Sequence, residues 1–122
     1  LLLVVVLNNK HVIIMQVLHF VTASGRDEIN RYLLGLPVDQ RAACDASLLN
    51  VQQYGFLLPP RILKKLKGQK QLWELRVKSR SEHRFLITNR GDTFIVLHAF
   101  TKKTQKTPLK EIKTAIQRKN QL

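Results

Sequence analysis

The sequence predicts an α+β fold: an N-terminal strand, two antiparallel helices, an antiparallel meander sheet and a C-terminal helix. Three observations carry that expectation. The chain has 122 residues, 44% of them hydrophobic, and a mean hydropathy of -0.14, which are the values of one small domain able to bury a core without disulfide staples. Between residues 25 and 54 apolar positions recur at helical intervals, whereas from residue 71 they alternate, the period of a half-buried strand. Beyond Pro108 the helical spacing returns.

Val12 to Val21 is rich in β-branched residues and reads as a central strand. The run Leu1 to Leu7 is far shorter than the ~20 residues of a membrane span and lacks a preceding basic region and a small-residue cleavage pattern. Residues 1–14 are therefore read as a leader or an extra strand pairing through the Asn8-Asn9 turn, and residues 15–122 as a single domain, with Met15 a candidate start. Ser24 is the expected N-cap of a helix over about 25–34, with Asp27 and Glu28 in its first turn. Gly35-Leu36-Pro37 ends it, and Val38 to Tyr54 forms the second helix, stopped by Gly55. After the Leu58-Pro59-Pro60 breaker, residues 61–68 read as a turn of helix.

The meander begins at Gln71 to Lys78, which places Trp73, Leu75 and Val77 on a core face and Leu72, Glu74, Arg76 and Lys78 on the other. Residues 79–82 turn the chain into His83 to Thr88, with Arg84 opposite in sense to Phe85. Asn89-Arg90-Gly91-Asp92 is a hairpin signal leading to Thr93 to Phe100. The last helix starts with Thr107 at the N-cap and Pro108 at N1, and carries Leu109, Ile112 and Ile116 on one side and Lys110 and Lys113 on the other. All helices are expected on one face of the sheet.

Charge is divided unequally. The net charge is +13; residues 1–60 hold four basic and four acidic residues, while residues 61–122 hold seventeen basic and four acidic ones. A neutral half joined to a strongly basic one is the pattern of a domain with one wall facing a polyanion, and nucleic acid is the commonest. An acidic membrane is the rival partner, but the basic residues are spread over strands and turns rather than gathered on an amphipathic helix. The lone Cys44 forms no internal disulfide, and no zinc-ligand spacing occurs, which fits a reducing, cytoplasmic setting.

The segments Leu72-Trp73-Glu74-Leu75-Arg76-Val77, Glu82-His83-Arg84 and Leu97 through Pro108, with its Phe-x-Lys-Lys-x-x-x-Lys-Thr-Pro run, resemble the HigB-like, phage-derived branch of the RelE superfamily of toxins. The resemblance covers about residues 15–118. It implies a RelE-like fold similar to small microbial ribonucleases, cleavage of mRNA on the ribosome, no cofactor, and neutralisation by a co-expressed antitoxin, often a helix-turn-helix protein. Two positions depart from the family pattern: Ile87 stands where relatives often have Tyr, and Ala99 where Gly is usual. No aromatic for stacking the scissile base is thereby assigned.

Cleaving RNA through its own 2′-hydroxyl requires a base, cations on the pentacovalent phosphate and an acid for the 5′-oxygen. Arg76 and Arg84, on adjacent strands, are the candidate phosphate clamp, since guanidinium forks match phosphate oxygens. Glu74, two residues from Arg76 on the same face, is the candidate base or a structural ion-pair partner. Lys102 is the candidate proton donor. His98 titrates near neutrality but alternates in phase with Phe94, Val96 and Phe100, so it is either catalytic or a core histidine. His83 reads as a surface residue and Trp73 as packing. Lys64, Lys65, Lys67, Lys78, Arg80, Lys103 and Lys106 are the candidate RNA-binding residues, or a solvated charge run. Glu74, Glu82, Asp92 and Glu111 are too scattered for a two-metal site. A non-catalytic RNA- or ribosome-binding protein would show the same basic half.

Overall fold

A computed structural model of the chain describes residues 3–7, 10–14 and 16–122, the first two segments through their backbone alone. The Asn8-Asn9 turn and Met15 lie outside the described residues. Strand β1 (Leu3–Leu7) pairs antiparallel with β2 (Lys10–Ile14) in a separate two-stranded sheet. The main sheet holds β3 (Gln16–His19), β4 (Leu63–Lys65), β5 (Trp73–Lys78), β6 (Glu82–Arg90) and β7 (Thr93–Thr101) in the order β3-β7-β6-β5-β4. The stretch expected as one strand over Val12 to Val21 is thus divided between β2 and β3. Strands β4 to β7 are antiparallel neighbours, and β3 lies parallel to β7, with Gln16 opposite Thr93 and His19 opposite Val96. Parallel pairing demands a long crossover, here supplied by everything between residues 20 and 92.

Helix α1 (Glu28–Leu34) begins later than expected. Its N-cap is Asp27, whose carboxylate accepts from the Asn30 amide at 2.9 Å, while Ser24 belongs to the preceding turn, where Gly25 adopts φ 85°. Helix α2 (Val38–Tyr54) keeps its expected bounds and stops at Gly55, whose φ of 50° suits a residue without Cβ. Residues 63–65, expected as a turn of helix, form β4 instead: β5 needs a hydrogen-bonding neighbour, and pairing Leu63 with Leu75 buries Leu63 in the core.

The helices cover both faces rather than one. Leu75, Val77, Phe85, Ile87, Phe94 and Val96 pack against Ile29 and Leu33 of α1 and Cys44, Leu48 and Val51 of α2. On the reverse face Leu72, Leu86 and Leu97 meet Ala115, Ile112 and Ile116 of α3 (Leu109–Lys119). Burying each such side chain contributes roughly 1.5–3 kcal/mol, so both sheet faces needed a cover. Helix α3 starts at Leu109, which is 74% exposed and outside the apolar face. Thr107 does not cap it; its hydroxyl donates to Glu74 instead.

A bulge bends β7. Leu86 lies opposite His98 but Ile87 lies opposite Val96, so Leu97 is the extra residue. A bulge shifts every later side chain by one step. His98 therefore leaves the Phe94 and Val96 face and joins Phe100 on the α3 side, contrary to the simple alternation.

Candidate active site

The α3-covered face of β5 and β6 carries a buried acid among cations. Glu74 is 1% exposed. Its Oε1 accepts from Arg76 Nε at 3.1 Å and stands 3.5 Å from Arg84 Nε, and its Oε2 accepts from the Thr107 hydroxyl. The 3.5 Å contact is at ion-pair distance without hydrogen-bond alignment, so Arg84 Nε is an unsatisfied buried donor. Arg84 also donates from Nη1 to the His83 carbonyl at 3.2 Å and from Nη2 to Glu82 at 3.4 Å. Arg76 and Arg84 are directly opposed in register. Two like charges placed side by side repel, and the shared carboxylate between them offsets that cost.

Arg76 separates two clefts. One, of about 410 Å³, is lined by Lys64, Lys67, Arg76, Lys102, Lys106 and Thr107, with Glu74 at its base. The other, of about 540 Å³, is lined by Arg61, Ile62, Arg76, Lys78, Glu82 and Arg84. Lys102 enters the first cleft just after β7, where its backbone N–H donates to the Glu82 carbonyl at 2.7 Å. Desolvation first, and then the Arg84 charge, hold the Lys102 ammonium below its ordinary value; Glu74 opposes them, with Arg76 assisting and Glu82 opposing more weakly.

Of the residues singled out from sequence, Glu74, Arg76, Arg84 and Lys102 come together, with Lys64, Lys67 and Lys106 around one cleft and Lys78 along the other. Lys103 lines a separate recess with Lys102 and the start of α3. Lys65 points to the opposite sheet face, its Nζ 6.0 Å from the Trp73 ring centroid. Arg80 pairs with Asp39 of α2 at 3.0 Å. His98 bonds Glu111 of α3 at 3.0 Å and is separated from Glu74 by Leu86 in the same cross-strand row. Burial lowers the His98 pKa, with Glu111 opposing and Arg118 assisting.

His83, expected at the surface, is fully buried. Tyr32 of α1 reaches its Nδ1 at 2.7 Å and Ser79 its Nε2 at 3.0 Å; the Tyr32 hydroxyl also meets Thr101 at 2.8 Å. Burial, then the Arg84 charge, lowers its pKa. Cys44 is buried and its thiol is pushed up to about 11, chiefly by burial, so it remains protonated and is no nucleophile. Sequence reasoning missed Arg61, hidden by the helical reading of residues 61–68, and the Thr107 contact, hidden by its resemblance to a helix cap.

This architecture, with a cationic cleft opened beside a buried carboxylate, defines a small α+β domain of RelE-like fold. The chain belongs to the phage-derived Gp49-like protein family (DUF891), whose model matches residues 31–120 and so spans every cleft residue. That family is associated with the toxins of toxin–antitoxin systems. No curated protein matches the chain. Among the described residues no helix is long and apolar enough to cross a membrane.

Proposed function

We propose that this chain is the HigB-like toxin of a type II toxin–antitoxin system and cleaves mRNA on the ribosome, in the cytoplasm, as a metal-independent endoribonuclease. The observation that carries the reading is the opposed Arg76–Arg84 pair held by Glu74 beside Lys102. Arg76, whose side chain is 32% exposed, binds the scissile phosphate; Arg84, deeper, adds positive potential behind it. The 2′-oxygen attacks phosphorus and loses its proton to water. The bond to the 5′-oxygen breaks, and Lys102 gives that oxygen a proton, leaving a 2′,3′-cyclic phosphate and a 5′-hydroxyl. Glu74 acts as a positioning residue: both its oxygens are engaged and it is buried, so a base role would cost it a partner. The antitoxin, of helix-turn-helix type, neutralises the toxin by covering the basic clefts.

Primer extension on cellular mRNA after brief induction tests this. Growth arrest accompanied by cuts within translated regions is the expected result, and cleavage on purified ribosomes persists after chelation where ribosome integrity is separately maintained. Intact transcripts during arrest, or products ending in a 3′-hydroxyl, refute it. The engagement of both Glu74 oxygens favours one other reading, RNA or ribosome binding without catalysis. That reading predicts arrest with intact transcripts.

A further inference from the structure

The second cleft contains a feature that phosphate binding does not explain. Its walls are Arg61, Ile62, Arg76, Lys78 and Arg84, yet Glu82 projects among them with its side chain 44% exposed. A carboxylate there repels phosphate, and its contact with Arg84, 3.4 Å from one guanidinium nitrogen to Oε2, engages only one of its two oxygens. Only Glu82 Oε2 is engaged; among the described residues Oε1 accepts no hydrogen bond. Arg61 is exposed and pairs with no carboxylate among the described residues. Ile62 lines the cleft beside Arg76, whose amide donates to the Ile62 carbonyl at 2.8 Å, while its side chain packs against the core shared with α1 and α2.

We propose that this cleft is a nucleobase subsite that selects guanine, with Glu82 as the acceptor. This rests on reading the neighbouring cleft as an RNA-phosphate site. Proteins that read single-stranded RNA take the base out of its stack, set its face against an aromatic or guanidinium plane and bond its Watson–Crick edge. Guanine alone presents two adjacent donors on that edge, N1–H and the N2 amino group, matching the two oxygens of one carboxylate. Adenine and cytosine place an acceptor beside their amino group and uracil flanks its N–H with carbonyls, so each sets a lone pair against Glu82. Arg61 supplies the stacking plane, and Arg76, shared by both clefts, holds the adjoining phosphate. A cleft of about 540 Å³ accommodates a purine.

The test is single-turnover cleavage by the full chain of ribosome-bound mRNAs that differ at one nucleotide beside the cut. The wild type should cut the guanine-bearing message roughly 5- to 150-fold faster than the adenine-bearing one, the range for a bidentate base contact, and Glu82→Gln should bring the ratio within about twofold. Glu82→Gln keeps an oxygen for Arg84 and is nearly isosteric. The loss of one negative charge raises binding to every RNA alike, so the ratio isolates base selection. No guanine preference in the wild type, or the wild-type ratio retained in Glu82→Gln and Glu82→Ala, overturns the proposal. Fluorescence anisotropy with short single-stranded RNAs carrying guanine or adenine gives a readout independent of cleavage. Guanine preference in binding that Glu82→Gln abolishes, with no message cut, keeps the subsite and refutes the nuclease; equal binding of both RNAs with none cut refutes both.

Discussion

Arg76 and Arg84 oppose each other in register but differ in burial, their side chains being 32% and 7% exposed. Arg76→Ala should therefore act on the reaction: single-turnover cleavage falls about 30- to 1,000-fold, equivalent to roughly 2–4 kcal/mol from one preorganised electrostatic group, while urea unfolding changes little. Arg84→Ala removes a partner from a buried carboxylate and should also lower the unfolding free energy by about 3 kcal/mol, the lower end for a broken buried pair because Arg76 and Thr107 remain. Lys102 supplies a pH signature. With its pKa below the usual 10.5, the protonated acid is lost as pH rises through that lowered value, so the cleavage rate falls on the alkaline side at a pH below 10.5. Lys102→Arg, charged throughout, abolishes that limb in a pH–rate profile. Most of these side chains were legible because alternation along residues 73–78 and 82–88 sorts charged from apolar positions. His98 was not, because one inserted residue inverted the phase, and neither Lys65 nor Arg80 carries any mark in the sequence of the Trp73 or Asp39 contact that draws it away.

At the scale of elements, the Tyr32 hydroxyl ties α1 to β6 and β7 by bonding His83 and Thr101, the residues immediately before Arg84 and Lys102. Tyr32→Phe keeps the edge contact with Phe85 but leaves Nδ1 of buried His83 without its partner, which should cost about 1–3 kcal/mol in urea unfolding. His83 and His98 both titrate below their ordinary 6.5 in the fold. The unfolded chain therefore binds protons first, and stability should fall as pH drops through and below 6.5. His83→Gln should flatten that slope in unfolding measured from pH 7.5 to 5. Helix α2 and the three meander strands were readable because long periodic segments bounded by Gly and Pro leave few alternatives. Strand β4 was not: its Leu-Lys-Lys sequence has no period of its own, and pairing with β5 makes it a strand. The placement of α3 on the reverse face was hidden too, since alternation shows that β5 and β6 have two faces but not that the apolar residues set among the charged ones, Leu72 and Leu86, require their own cover.

Over the whole molecule, a charge of +13 gathered in residues 61–122 should make the proposed RNA affinity strongly salt-dependent. Lys64→Ala and Lys67→Ala, at the outer wall of the first cleft, should each weaken binding to any RNA and reduce the slope of log affinity against log salt by about one, without a matching fall in the cleavage rate of bound message. Titration at several salt concentrations beside single-turnover rates separates the two effects. The division of charge was readable at once, since it needs no structure; the assembly of that charge into two clefts on either side of Arg76 was not.

The parallel pairing of β3 with β7 also sets an order of events during synthesis. Gln16 finds its partner only when Thr93 exists, and at roughly 5–20 residues per second translation takes about 4–15 seconds to cover that distance. Meanwhile β4 to β7, all sequence neighbours, pair locally and quickly. The strand made earliest in the main sheet is consequently the last to dock. A nascent chain spends those seconds with β3 unpaired, and the edge of β7 stays uncovered until the two meet, so any partner that binds it cotranslationally reaches the protein before its sheet is closed.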